Sequence, residues 1–497
     1  MVSRRGAIMT DLFSAYEVRA AGTKIHAYLI ESTAPENIDD TVKAQDVPQY
    51  TEQINADDAI EKITNDLKNS NNPTLVVSIH GFNNPRDIIF DGYWNSFNSL
   101  NEDNAVNNRD VVCIGYRWPS ERIGATFTNS FKAAPNFLKY LFLIGIAIIL
   151  SVLIMHCIGR LEHLLTIIIL WVGVLLMSIP ATFFLLRIIV YFRDGYRATA
   201  FGVPDLVEII RQIDKKLAKK DERRNQVRLS FIGHSMGAYV VTNVVRILSD
   251  VFSPASIRAG LNARPDHTPA SVSSNIGKVF RLKRLVLVSP DIPAEALISS
   301  RANFLSASLL RFEEAFLFSN EGDEVLRQIS TTANYFSFPT KSNKFGYRLG
   351  NVCLLDIPSG ITKGINLQRL QIGKLTLAEI YKNMEKIGFG QLQDDLPKRF
   401  SYFDCTDCVE NGKGMLTRAK PGRIKKIGHL GHLSLLVHYL WNRKPDVHGG
   451  YFRSRFLSTL IFRLACIGRH DTVQAYGGEA QLDAECRQRQ IKALLNS

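Results

Sequence analysis

The chain has 497 residues, 46% hydrophobic and 22% charged, which is enough for one large core or two ordinary ones and excludes a chain disordered throughout. Its net charge of +13 points to anionic partners, but no nucleic-acid motif accompanies it and most of the basic residues are dispersed, so binding to nucleic acid is set aside in favour of a membrane surface. The seven cysteines are scattered, which suggests neither a disulfide framework nor a zinc ribbon and fits a reducing compartment.

The N-terminal segment has basic residues but no apolar run long enough for a signal peptide, so export by that route is not expected. Residues 74–79 and 110–116 are β-branched runs that read as buried parallel strands. The first runs into His80-Gly81-Phe82-Asn83-Asn84-Pro85 and the second into Arg117-Trp118-Pro119-Ser120.

Residues 140–158 and 164–186 carry no formal charge, and each matches the roughly 20 apolar residues of a spanning helix. Only residues 159–163 separate them, so they are expected to form a tight transmembrane hairpin with both ends on one side. Arg122, Lys132 and Lys139 precede the first run and Arg187, Arg193 and Arg197 follow the second, whereas the loop has Arg160 alone. Lysine and arginine stay on the cytoplasmic side of a span, so the sequence predicts a two-span membrane protein, in the inner membrane if bacterial, with its bulk in the cytoplasm.

Beyond the hairpin, residues 198–220 and 236–248 have helical patterns. Strands are expected at 227–233, 284–289 and 315–319, with a weaker one at 400–405 that contains Cys405; the lone Cys405/Cys408 CxxC reads as strand packing, not a metal site. Alternating strands and helices imply an α/β fold with a mostly parallel sheet and helices on both faces. The expected organisation is a soluble domain made of residues 1–133 and 194–470, interrupted by the hairpin at 134–193. It carries an irregular insertion over about 350–398, a final helix at 454–466 and a tail at 471–497.

Between the strand at 227–233 and the helix at 236–248 stands Gly233-His234-Ser235-Met236-Gly237. Strand, Gly-x-Ser-x-Gly, helix is the context of a nucleophile elbow, which presents a serine hydroxyl above a sheet at a helix N-terminus. A serine hydroxyl needs a histidine to take its proton and an acid to orient that histidine, in the chain order serine, acid, histidine. Asp323, in a polar glycine-containing loop after a late strand, is preferred as the acid over Asp291, which would cap a helix beginning near Pro293. His448 is preferred as the base because it lies in a proline- and glycine-marked loop before the final helix. His429 and His432 stay as alternatives, since His432 and His438 fall in an apolar helical run where a histidine is more often structural, and His470 also follows Asp323. The backbone N–H groups of Phe82 and Met236 are placed to hold an oxyanion, and His80 reads as a turn-shaping residue.

These pieces together resemble the α/β-hydrolase superfamily, in particular its bacterial esterase- and lipase-like members. The similarity spans residues 75–323 and extends less closely to His448-Gly449-Gly450-Tyr451-Phe452. The resemblance implies an eight-stranded sheet and hydrolysis of an ester-like bond with no metal or organic cofactor. The chain departs from it in the inserted hairpin and in the long segment between Asp323 and His448. The expected function is a membrane-anchored serine hydrolase acting on a lipid or other amphiphilic ester. The alternative is a catalytically silent α/β-hydrolase domain that serves as a membrane-tethered interaction module.

Overall fold

The computed structural model describes residues 12–18, 24–36, 47, 50–120, 132–160, 162–188, 191–218, 227–249, 273–294, 308–331, 348–354, 360–363, 370–372, 375–376, 379, 382, 399–417, 427–441 and 445–495. The chain divides into two compact units, Met1–Ser120 with Arg197–Ser497, and Glu121–Tyr196. Before the interruption the larger unit supplies β1 (Phe13–Val18), β2 (His26–Ser32), β3 (Thr51–Ile54), α1 (Ala56–Lys68), β4 (Thr74–Ile79), α2 (Arg86–Glu102) and β5 (Val111–Arg117). The smaller unit holds α3 (Asn136–Cys157) and α4 (His163–Ile188). The larger unit resumes with α5 (Val203–Ala218), β6 (Val227–His234), α6 (Met236–Leu248), β7 (Phe280–Val288) and β8 (Glu314–Ser319). It ends with β9 (Gly360–Lys363), β10 (Phe400–Asp404), α7 (His429–Trp441), α8 (Arg455–Ala475), α9 (Glu479–Gln488) and β11 (Lys492–Leu495).

Among the described residues the main sheet has twelve strands, in the order β9-β11-β10-β8-β7-β6-β4-β5-β2-β1-β3, with Asn275–Ile276 paired to β7. The run β2-β5-β4-β6-β7-β8-β10 is parallel throughout. Antiparallel pairing joins β1 to β2 and β3, and β10 to β11. The fold is therefore α/β with a mostly parallel, mixed sheet. Its centre forms where the sequence is aliphatic without alternation: every residue of β4 and β5 is buried, as a strand covered on both faces requires.

The sheet is larger than the eight strands expected. β1 to β3 were not foreseen, and residues 471–497, read as a tail, finish α8, form α9 and place β11 inside the sheet. Part of the presumed insertion is also regular, since β9 pairs in parallel with β11. The final helix runs past its expected end and kinks at Gly468, whose φ of 81° suits glycine. Arg284 takes up the carbonyls freed there, donating to Cys466 O at 2.9 Å and Ile467 O at 3.1 Å.

Helical spacing explains the helices that flank the sheet. Leu206, Ile209, Ile210, Ile213 and Leu217 recur at the helical period and are the buried face of α5, which packs on α1 and α6. Residues 198–202, expected as helix, form a π-helical turn instead. Gly202 at its end packs too closely for a side chain, since an added Cβ would stand 2.9 Å from Cβ of the fully buried Trp118.

In the smaller unit, α3 and α4 are each long and apolar enough to cross a membrane, and little of either is buried. They pack through glycine: a Cβ at Gly145 would lie 2.9 Å from Gly173 O, and one at Gly173 would lie 2.9 Å from Ile149 Cγ1. Small residues at such a crossing let two backbones approach closely.

Parallel strands in register bring their C-terminal ends to one level. Ile79 pairs with Gly233, His234 with Val288, and Val288 with Phe318. The loops that follow β4, β6, β7 and β8 therefore gather at one edge, the place where α/β sheets carry their sites.

Candidate active site

Ser235 follows the last residue of β6 and caps α6, with its backbone at φ 55° and ψ −123°. A side chain other than glycine pays for that conformation in strain. The neighbours explain why the turn is made of small residues. A Cβ on Gly237 would meet His80 O at 2.6 Å, one on Gly233 would meet Ala238 Cα at 2.7 Å, and one on Gly81 would meet Ser235 Cβ at 2.7 Å. Ser235 N donates to Val288 O, and Ser235 O accepts from Ala238 N and Asp291 N, each at 3.0 Å. The elbow is thus pinned to β7 and to the loop beyond it.

Asp323 and His448 meet. His448 Nδ1 donates to Asp323 Oδ2 at 2.6 Å, which leaves Nε2 as the unprotonated nitrogen when the ring is neutral. Asp323 is fully buried and held on both oxygens. Oδ1 accepts from Val325 N and Leu326 N at 3.1 Å, and Oδ2 also accepts from Ser289 Oγ. Burial by itself lowers the His448 pKa, but the charge and hydrogen bond of Asp323 outweigh it and hold the imidazole above its ordinary value. His448 Nε2 and Ser235 Oγ are both buried without a hydrogen-bond partner among the described residues. His234, next to Ser235, donates from Nε2 to His448 O at 2.9 Å and so joins the elbow to the histidine's loop.

No known protein family, curated protein or solved structure matches this chain.

The other candidates have other partners. Asp291 is buried against Arg348, 3.0 Å from its Nε, and accepts from Ser330 Oγ at 3.1 Å; the helix expected near Pro293 lies outside the described residues. His432 is bonded through Nδ1 to Glu324 Oε1 at 2.5 Å, beside Asp323 but on a different carboxylate. His438 Nδ1 donates to Ser434 O at 2.7 Å, as helical histidines often do, and His470 is exposed. The side chain of His429 lies outside the described residues.

His80 is engaged on both ring nitrogens, donating from Nδ1 to Gly81 O at 2.6 Å and accepting from Trp118 N at Nε2, 3.3 Å away. Its ring stacks on Trp118, and burial with the Arg117 charge pushes its pKa down to about 3. The turn after β5 thereby buttresses the turn after β4, which carries Phe82. The Phe82 ring lies 6.2 Å from that of His448, and Met236 is the first residue of α6. Cys405 and Cys408 are buried, and burial pushes the Cys408 thiol up to about 12. Among the described residues no group of three or more histidine, cysteine or acidic side chains gathers to hold a metal ion.

Several supporting residues had no signal that single-sequence reading could use. Ser289 on Asp323 and His234 on His448 are examples. Asn320 is another, donating from Nδ2 to Val447 O at 2.8 Å to tie the acid's loop to the histidine's. A cavity of about 770 Å³ reaches His448, His234 and Phe82, passes Asn84, and continues between α2 and α8 to Phe462. That volume suits a small-molecule site.

Proposed function

We propose that this chain is a serine hydrolase of the α/β-hydrolase type, anchored in a membrane by α3 and α4. One observation carries the reading: the buried Asp323–His448 pair, its Nε2 unbonded, at the same sheet edge as a strained Ser235. In the proposed reaction Ser235 Oγ attacks the carbonyl carbon of an ester-like bond while His448 Nε2 takes the hydroxyl proton. The negative charge that forms on the carbonyl oxygen is held by the N–H groups of Phe82 and Met236. Collapse of the tetrahedral species expels the alcohol, which receives the proton from His448. Water then attacks the acyl-serine with His448 again as base, which releases the acid and restores the serine.

The substrate class is a lipid or other amphiphilic acyl ester, supported by the membrane anchor and by a cavity that mixes apolar residues such as Phe82 and Phe452 with polar ones such as Asn84. The positive flanks of the hairpin and the free cysteines support a cytoplasmic location for the larger unit.

A second reading, a catalytically silent domain that tethers partners at a membrane, is favoured by the complete burial of Ser235. A fluorophosphonate probe decides between the two. The hydrolase reading expects covalent labelling that disappears in Ser235→Ala. A folded wild-type protein that takes up no label supports the silent module.

A further inference from the structure

The apolar run of α7 would ordinarily be core, yet the described residues show one side buried and the other exposed. His432 and Leu435 are buried; His432 is bonded to Glu324, and Leu435 clusters with Ile427 and Val447. This inner face rests on the loops that carry the candidate acid and base. Gly322, one residue before Asp323, has Ile427 Cδ1 and Leu435 Cδ1 at 2.9 and 3.1 Å from where a Cβ would stand, and Val447 precedes His448. On the opposite side Leu430, Leu433 and Val437 are 81%, 56% and 47% exposed. At about 100° per residue these three fall within one narrow stripe, roughly opposite His432 and Leu435.

The sequence on either side of this helix departs from the dispersed charge pattern of the rest of the chain. Residues 411–445 contain eight lysines and arginines and not one aspartate or glutamate, so they hold eight of the net thirteen positive charges. An exposed leucine and valine stripe with lysines and arginines on both sides of it in the sequence suits the surface of a negatively charged bilayer, which attracts basic segments. The two candidate spans of the same chain would supply such a bilayer.

We propose that α7 is an interfacial helix that inserts Leu430, Leu433 and Val437 into the surface of an anionic membrane. The inference is independent of catalysis and rests only on the membrane reading of α3 and α4. Co-purification of the protein with lipid nanodiscs reports that reading separately.

The test uses the full chain in nanodiscs, with Cys157→Ser to remove the exposed native thiol and Leu433→Cys to carry a polarity-sensitive dye. In discs containing phosphatidylserine the emission should shift to the blue and be quenched by a lipid-linked quencher. In phosphatidylcholine discs, or in Lys425→Gln/Lys426→Gln, the shift should be much smaller. Val437→Cys, on the same stripe, should report the same pattern, so the result does not hang on one substitution. A water-like emission at both positions in every disc overturns the proposal. So does a blue shift that the lipid quencher does not reach, which would mean that a protein surface, such as a second copy, covers the stripe. An equal shift in both lipids overturns it too, by removing the role of charge.

Discussion

His234 Nε2 donates to the carbonyl oxygen of His448 at 2.9 Å, with the two rings 4.8 Å apart. The residue before the candidate nucleophile therefore holds the backbone of the candidate base. Burial and the charge of His448 lower the His234 pKa to about 4, so His234 stays a neutral donor while His448 titrates. It is a positioning residue, and its loss should be felt in the chemical step more than in binding. His234→Ala is expected to lower kcat about tenfold, the worth of roughly 1.4 kcal/mol of buried hydrogen bond, with KM little changed. His234→Gln, whose amide also donates, should recover part of the loss. Equal effects of both variants on KM alone would remove this role.

Ser235→Ala and His448→Ala should each lower turnover of a short-chain ester by a factor on the order of 10⁴ or more, and the double variant should be no worse than either, because the groups act as one unit. Steady-state rates with a sensitive chromogenic ester measure this. Unchanged turnover in Ser235→Ala would end the mechanism. Unchanged turnover in His448→Ala combined with loss in His432→Ala would move the base to the Glu324 pair.

Because Asp323 holds the His448 pKa above its ordinary value of about 6.5, activity should fall as pH drops through a midpoint above that value. Stability runs the other way. A histidine whose pKa is raised on folding contributes stability that is full below its unfolded pKa and is lost as pH rises through the folded one. In Asp323→Asn the raising influence is removed and burial remains, so the midpoint of the residual activity should move down, with a lower maximum rate. A pH profile of kcat/KM whose midpoint is the same in both proteins would assign the titration to another group.

What the sequence made legible is what local chemistry dictates. β4 announces itself as a β-branched and aliphatic run broken only by Ser78, and the elbow after β6 does so because no Cβ fits at Gly233 or Gly237. β1 and β11 were hidden because Phe13–Val18 mixes polar and apolar residues and Lys492–Leu495 is only four residues long, too little to stand out without its neighbours in the sheet. The choice among histidines was open for a different reason. Asp323 and Glu324 are adjacent, and each meets a histidine more than a hundred residues away, so chain order alone could not assign His448 to one and His432 to the other. In α7 the apolar pattern was clear, but a pattern does not say which side other residues cover.

The hairpin should behave as an integral anchor. The protein should stay in the membrane pellet after carbonate washing, with both soluble portions open to protease from the cytoplasmic side only. A helix that crosses lipid must satisfy its own backbone hydrogen bonds there, and lysine and arginine beside a span favour the cytoplasmic side. Replacing residues 135–190 by a flexible linker should give a soluble protein that keeps its rate on a water-soluble ester and loses most of its rate on vesicle-borne lipid. A full rate on vesicles would show that the anchor has no part in substrate access.

Ser235 offers a last test, in which stability and activity are expected to part. Its φ of 55° lies in the left-handed region that favours glycine, and a serine there costs on the order of 1–3 kcal/mol. Glycine would relieve that strain at an entropic cost of roughly 0.5–1 kcal/mol from its freer unfolded chain. Ser235 Oγ has no hydrogen-bond partner among the described residues, so removing it breaks no bond seen there. Ser235→Gly should therefore be more stable than the wild type by about 1 kcal/mol, read as a higher denaturant midpoint at unchanged slope. Ser235→Ala keeps a Cβ and with it the strain, and should be close to the wild type in stability. Both should be inactive. If Ser235→Gly proves less stable than Ser235→Ala, the elbow is not strained, and the backbone argument for a nucleophile at this position fails with it.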